Sequence, residues 1–345
     1  MVSKEQVESI HEKTKFQVAK IEQVLNLAEI LKAINEDPDL RDIFVLIGGT
    51  AINLLYADIP RLSVDIDIDL CKKDITFSEA QNLIPIHRDI IERIAKSLDM
   101  ECGKRESRLD RPASGRLNLL CQYKSHFSPG GTGIVKLDIS YYQRYTVFET
   151  VQIPFRSFGK EEAVEEFNVL TVDKHELWGG KAVALAYEHE RDPKPEEVCQ
   201  FFSTNKARHI FDAYCLEAEL EERRSDIDID KLRLCFILKG LPRISELFTL
   251  RGDMMRHCEE AEIERELYPY LEEKNRPPIR EMRNKARNFL DRVCGNSWTE
   301  EEREFAEAYE QGEYCPEILF EEREPAYSHL FHCDYLEHNA VLRER

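Results

Sequence analysis

The sequence predicts an α+β fold, with a small mixed-sheet domain and flanking helices over residues 1–160 and a mainly helical domain over residues 161–345. Three observations carry this. The first forty residues repeat apolar side chains at helical spacing. Between residues 43 and 142 the pattern shifts to short apolar or alternating runs punctuated by glycine and proline. From about residue 173 the helical period returns.

Val18, Ile21, Leu25, Ala28 and Leu31 lie three and four apart, the stripe of a helix that Pro38 closes off. Residues 43–47 are a continuous apolar run, the mark of a buried strand, and Gly48-Gly49 stops it. Thr50 opens a short apolar helix through Tyr56. The turn Ala57-Asp58-Ile59-Pro60 leads to Arg61 and then to Ser63-Val64-Asp65-Ile66-Asp67-Ile68-Asp69-Leu70, whose alternation gives a strand with one apolar and one acidic face. Residues 78–100 read as a helix with Pro85 near its start and Ile86, Ile90, Ile94 and Leu98 as its buried stripe. Two strands follow, 116–123 and 133–142, and the turn Pro129-Gly130-Gly131-Thr132-Gly133 pairs them antiparallel. Asp173 and Glu176 have capping-box spacing at the head of a helix carrying Leu177, Lys181, Ala184 and Leu185. Further helices are expected over 206–220, 231–238, 243–250, 253–267 and 279–293.

Forty-eight basic against 67 acidic residues give a net charge of −19, which argues against a protein that coats nucleic acid or anionic lipid through a global basic surface. A local basic groove is still compatible with it. The start of the chain is charged, and the longest mostly apolar stretch, 44–56, is too short and too polar to span a bilayer, so a cytoplasmic protein with no membrane contact is expected. The ten cysteines include no C-x-x-C pair, which indicates neither a disulfide scaffold nor a zinc ribbon; most are expected to be small buried hydrophobes.

The chemistry gathers around Gly48-Gly49-Thr50 and the acidic strand. Residues two apart on a strand share a face, so Asp65 and Asp67 stand side by side and Asp69 extends the row. Such carboxylates repel unless a positive charge lies between them, and a hard divalent ion with oxygen ligands, Mg²⁺ above all or else Mn²⁺, meets that need. A Gly-Gly-Thr turn from strand to helix adds half of a phosphate site: glycine lets the backbone close in, the helix amino terminus presents free N–H groups, and the Thr50 hydroxyl can donate. Asp138 is a lone acid among Val135, Leu137 and Ile139, and a metal shared with Asp65 and Asp67 gives it a partner. The competing reading is an edge strand whose charges only prevent aggregation.

These residues also carry a family resemblance. Gly48-Gly49-Thr50-Ala51 followed by Arg61-Leu62-Ser63-Val64-Asp65-Ile66-Asp67, with the apolar strand before it, resembles the signature of the AbiEii/AbiGii toxin family of nucleotidyltransferases, a branch of the DNA polymerase beta-like superfamily. Lys136-Leu137-Asp138-Ile139-Ser140 resembles the strand with the third carboxylate, and residues 173–185 resemble the helix with a functional lysine, here Lys181. Arg208-His209-Ile210-Phe211-Asp212 resembles the Arg-Asp-x-x-Asp element with His209 in place of the first aspartate, which leaves Asp212 as the better candidate. Residues 312–320 resemble the family's carboxy-terminal segment.

The resemblance implies a nucleotidyltransferase domain over residues 1–160 and a helical domain that contributes Lys181 and Asp212 to the cleft. It implies a type IV toxin–antitoxin (abortive infection) toxin that uses Mg²⁺ or Mn²⁺ to transfer a nucleotide from an NTP to an acceptor, with the tRNA 3′ end as the expected acceptor and a cognate antitoxin as a partner. Asp65, Asp67 and Asp138 would hold the metal, and these three with Lys181 and Asp212 would be catalytic. Gly48, Gly49, Thr50, Arg61, Ser63, Lys181 and Arg208 would bind the nucleotide.

Blander readings stand beside these. Lys181 fits a lysine snorkelling from a half-buried helix, and Arg208 with Asp212 fits an exposed pair four apart, worth about 0.3–0.5 kcal/mol. A small-molecule or protein hydroxyl as acceptor, or a catalytically inactive nucleotide-binding module, are the alternative functions. Two basic stretches suit an RNA acceptor: residues 104–116, with five bases against two acids, and the helix from Arg276 to Arg292, with six against two. Residues 299–337 hold thirteen acids and two bases, so RNA is expected to bind away from the carboxy-terminal segment.

Overall fold

In the computed structural model, which describes residues 2–104, 115–156, 166–186, 206–244, 246–252, 255, 258–295, 298–321 and 324–343, seven strands make one mixed sheet. They are β1 (Phe44–Ile47), β2 (Asp65–Cys71), β3 (Glu101–Lys104), β4 (Arg116–Lys124), β5 (Thr132–Arg144), β6 (Val151–Pro154) and β7 (Asn168–Thr171), in the order β3-β4-β5-β2-β1-β7-β6. β2 lies at the centre, antiparallel to β1 and parallel to β5, so its aspartates are not the guard charges of an edge strand. β4 and β5 pair antiparallel along all of β4, as the proline-glycine turn predicts.

Burial alternates along β4 and β5, and this separates two faces. Ile66, Ile68, Leu117, Leu119, Leu137 and Ile139 are buried on one face, against α2 (Val18–Glu36) and α4 (Phe77–Ser97). Asp65, Asp67, Asn118 and Asp138 share the other. Ahead of α2 runs α1 (Lys4–Thr14). On α2, Ile21, Leu25, Ala28 and Leu31 are buried as their spacing predicts.

Two expectations on the helices of this half are corrected. The helix after β1, α3 (Gly48–Ala51), begins at Gly48 rather than Thr50 and continues as a π-turn over Ile52–Tyr56. In α4 the buried stripe is Ala80, His87, Ile91 and Ala95, with Ile90 beside it, and Ile86 is 54% exposed. The inward face is set by His87, which packs edge-on against the Phe44 ring and sits 3.1 Å from the Tyr141 hydroxyl. Reading outward from Ile86 shifts the stripe by one residue, about 100° around the helix.

By its contacts the chain divides into two compact units: residues 1–146, 150–172 and 269–275, and residues 147–149, 173–268 and 276–345. The second holds α5 (Lys174–Ala186), α6 (Lys206–Glu221), α7 (Ile229–Gly240), α8 (Glu260–Glu266), α9 (Ile279–Cys294), α10 (Glu300–Glu310) and α11 (Asp334–Val341). The helix expected over 243–250 is only a 3₁₀ turn at Leu247–Thr249, because Glu246 sits in the left-handed region, φ 49°. The capping box at Asp173 is half formed. Asp173 Oδ1 accepts from the His175 N–H at 2.8 Å, but Glu176 turns inward, accepts from the Val147 N–H at 2.8 Å and pairs with Lys239 at 2.9 Å.

Cys235, Cys258, Cys294 and Cys333 are buried, as expected of small hydrophobes. Cys102 and Cys121 depart from the expectation: directly opposite each other on β3 and β4, they form a disulfide. Among the described residues no helix is long and apolar enough to cross a membrane.

Candidate functional site

Gly48 starts α3 at φ +73°, a region that residues with a side chain rarely adopt, and a Cβ there would overlap Oδ2 of Asp67. The glycine is therefore required twice, by the backbone angle and by the close approach to the carboxylate. Gly49 faces Arg61 and Ser63: a Cβ would lie 2.7 Å from Arg61 Nη2 and 3.2 Å from Ser63 Oγ. Asn53 Nδ2 donates to the Gly49 carbonyl at 2.8 Å.

Thr50, Arg61 and Ser63, expected to face a nucleotide, form a buried brace behind this turn. Arg61 is 2% exposed, and its Nη1 donates to the Leu62 carbonyl at 3.0 Å. Thr50 Oγ1 is 3.0 Å from Ser63 Oγ and donates to the Asp65 carbonyl, so its proton is engaged within the protein. The brace thus fixes the glycine turn to the first residue of β2. Leu62 in turn donates its N–H to the Tyr270 carbonyl at 2.9 Å.

Asp67 is in register with Asp138 on the neighbouring parallel strand, and Asp138 is in register with Asn118 on β4. Neighbouring strands are about 4.8 Å apart, so the two carboxylates stand side by side. Like charges at that separation repel by roughly 3 kcal/mol at an effective dielectric of about 20, and a shared cation relieves this. Asp65, one step along the same face, is in register with Lys136. All three acids are half-buried, with water on one side and the apolar layer on the other. Such an all-oxygen donor set fits a hard divalent ion. Among the described residues no group of three or more His, Cys, Asp or Glu side chains is already gathered closely enough to hold a metal ion.

In the second unit, Lys181 on α5 is 4% exposed and Asp212 on α6 is 2% exposed, and the lysine Nζ lies 3.0 Å from Asp212 Oδ2. Lys181 is therefore a buried, paired ammonium and not a snorkelling one. His209 Nδ1 lies 2.8 Å from the same Nζ. The sequence pattern discounts His209 as a departure from the family element, yet it touches the lysine. Its spacing of three from Asp212, which puts both on one helix face, is the signal that points to it. Arg208, its neighbour on α6, is half-buried.

Of the two basic stretches only the second is described along its length. Residues 105–114 lie outside the described residues. On α9, Arg292 is held by Glu217 at 2.6 Å, Lys285 pairs with Glu221, and Arg283 donates to the Cys258 carbonyl. Two of its bases thus face acids of α6, while Arg280 is exposed.

A family model described as the nucleotidyl transferase AbiEii toxin of type IV TA systems matches residues 29–313. A search of curated proteins gives no match. Among solved structures, MenT4, the nucleotidyltransferase toxin Rv2826c from Mycobacterium tuberculosis H37Rv, is similar over 100% of both chains, with a TM-score of 0.56 at 12% sequence identity, a likeness of fold. The matched stretch takes in the glycine turn, the three aspartates of the sheet, Lys181 and Asp212, and the chain belongs to the AbiEii family of nucleotidyltransferase toxins of type IV toxin–antitoxin systems.

Proposed function

We propose that this nucleotidyltransferase transfers a nucleotide from an NTP to the 3′-terminal hydroxyl of tRNA in the cytoplasm, with Mg²⁺ or Mn²⁺ as cofactor, and that a cognate antitoxin restrains it. The observation that carries the reading is the register of Asp67 with Asp138 beside a glycine turn pressed against the Asp67 carboxylate.

The ion, held by Asp65, Asp67 and Asp138, would neutralise triphosphate charge and acidify the acceptor hydroxyl. Gly48 and Gly49 present the α3 amino terminus to the phosphates. Thr50, Arg61 and Ser63 hold that turn to β2. Asp138 accepts the proton of the acceptor hydroxyl, whose oxygen bonds to the α-phosphorus while the bond from that phosphorus to the bridging oxygen breaks and pyrophosphate leaves. Lys181, held by Asp212, and Arg208 are assigned to the charge that builds on the leaving group.

The test combines the purified protein with Mg²⁺ or Mn²⁺, each labelled NTP in turn, and total tRNA. Label is expected at RNA 3′ ends, and Asp67→Asn or Asp138→Asn should reduce it by at least about 100-fold. Label that reaches only a small molecule or a protein overturns the acceptor. NTP binding without transfer to any acceptor overturns the activity in favour of an inactive nucleotide-binding module.

A further inference from the structure

Asp138 has a polar neighbour on the side away from Asp67. From Asp67 on β2 the row of side chains in register runs through Asp138 on β5 to Asn118 on β4. The ladder between β4 and β5 fixes how close the last two stand. The Tyr141 N–H donates to the Gly115 carbonyl at 2.8 Å, which makes 115 and 141 a hydrogen-bonded pair. Such pairs alternate with non-hydrogen-bonded ones, and the register continues from Arg116–Ser140 without a shift, so Asn118 and Asp138 form a non-hydrogen-bonded pair. In that class the Cα atoms are about 4.5 Å apart and the side chains are at their closest. Both side chains are half-buried on the face that carries the acids.

Asparagine is an unfavourable choice for a strand, and its amide needs hydrogen-bond partners once it is partly covered. Its neighbours along β4, Leu117 and Leu119, are buried in the apolar layer, and Leu120 follows it on its own face. The register decides which polar groups of β5 it can meet. Lys136 and Ser140 are its diagonal neighbours, about 7–8 Å away, and they stand across from Asp65 and Asp69 on the far side. Only Asp138, directly opposite, is in reach of so short a side chain. An ionised carboxylate accepts hydrogen bonds and does not donate them, so it is the amide Nδ2 that it engages, in a charge-assisted bond. Aspartate at 118 would have the same shape and no proton to give.

We propose that Asn118 is a positioning residue for nucleotidyl transfer: its Nδ2 donates to one oxygen of Asp138 and keeps the other turned toward Asp67. The proposal rests on Asp67 and Asp138 holding the divalent ion and is independent of which acceptor is used. It gives the acids a support on each side. Thr50 and Ser63 tie the glycine turn to β2 on one side of the row, and Asn118 steadies Asp138 on the other. Carboxylates that bind a metal are themselves held by hydrogen bonds, and losing such a partner typically costs about 10- to 100-fold in metal affinity or activity.

The experiment uses the full chain with Asn118 changed to Thr, to Val and to Asp. Thr and Val share one shape and both suit a strand, but only Thr donates; Asp keeps the shape of Asn and lacks the donor. Binding of Mn²⁺ alone is followed by titration, and kcat and KM for NTP are measured in the labelled transfer reaction at saturating Mn²⁺, where each variant is folded. Asn118→Val should weaken Mn²⁺ binding and lower kcat by at least about tenfold, with KM for NTP within about twofold. Asn118→Thr should keep both within about threefold, and Asn118→Asp should lose kcat as Val does. Thr and Val variants that behave alike overturn the proposal, because the donor is then not the cause. An Asp variant with the parent's kcat also overturns it and makes the Asn118 oxygen a ligand of the ion. Asp138→Asn separates these failures from a deeper one: if it weakens Mn²⁺ binding, the metal reading stands without Asn118. A parent that binds no Mn²⁺ overturns that reading and this proposal together.

Discussion

Gly48 joins backbone conformation to chemistry in a single residue. Any side chain there meets an unfavourable φ of +73° and the Asp67 carboxylate at once. Gly48→Ala is expected to cost about 1–2 kcal/mol of stability in urea unfolding. It should lower the transfer rate by at least about tenfold, because Asp67 must move aside; an Ala variant with full activity would show that the carboxylate position is not critical. His209 makes a second residue-scale case. Its Nδ1 accepts from a buried ammonium, and a hydrogen bond to a charged group is worth about 1.5–3 kcal/mol. Asn places an oxygen where His places Nδ1, whereas Gln reaches toward the Nε2 position. His209→Asn should therefore retain activity within about threefold, while His209→Gln and His209→Ala should lose about 10- to 100-fold, measured where each variant is still fully folded. Equal activities for Asn and Gln would remove the role. Asp65, Asp67 and Gly48 were legible in the sequence because strand period and turn chemistry are local rules. The part played by His209 was not, since it depends on Lys181, 28 positions away on another helix.

At the scale of elements, α4 shows how one buried polar residue redirects a helix. Leu, Ile and Val define a stripe only when the inward positions are apolar, and here His87 takes one of them. Burial, with a smaller push from Lys72, lowers its pKa to about 4. An unfolded chain binds that proton near pH 6.5, so between about 6.5 and 4 the unfolded state takes up a proton that the folded state refuses. The contribution is fully present above pH 6.5 and is lost as pH falls toward 4. Compared with His87→Phe, which keeps a ring against Phe44, the parent should lose about 2 kcal/mol more unfolding free energy between pH 7 and pH 5. Parallel losses in the two proteins would mean that His87 is protonated in place without penalty. The strands beside α4 divide in the same way between local and distant causes. The β4–β5 hairpin was written in its proline-glycine turn. The central position of β2 was not, because it depends on parallel pairing with β5 across some seventy positions of chain.

Over the whole molecule, charge is sorted by what stands opposite it and not by its density along the chain. Counting bases from Arg276 to Arg292 suggests an RNA-binding face, but two of them, Arg292 and Lys285, are answered by Glu217 and Glu221, which are 75 and 64 positions away and meet them only in the fold. Arg292 makes two hydrogen bonds to Glu217, whose side chain is 1% exposed, and this bond holds the arginine pKa above its usual value. Removing the arginine strands a buried carboxylate, which is expected to cost about 3 kcal/mol. Lys136, in register with Asp65 on the sheet, is by contrast open to solvent. The two classes of base should therefore separate by experiment. Arg292→Ala lowers the urea midpoint and leaves RNA affinity, measured under conditions where it stays folded, within about twofold. Lys136→Glu leaves the midpoint alone, because an exposed charge contributes little to stability. An Arg292→Ala protein that keeps its stability but loses RNA would show that this base serves the acceptor and not the fold.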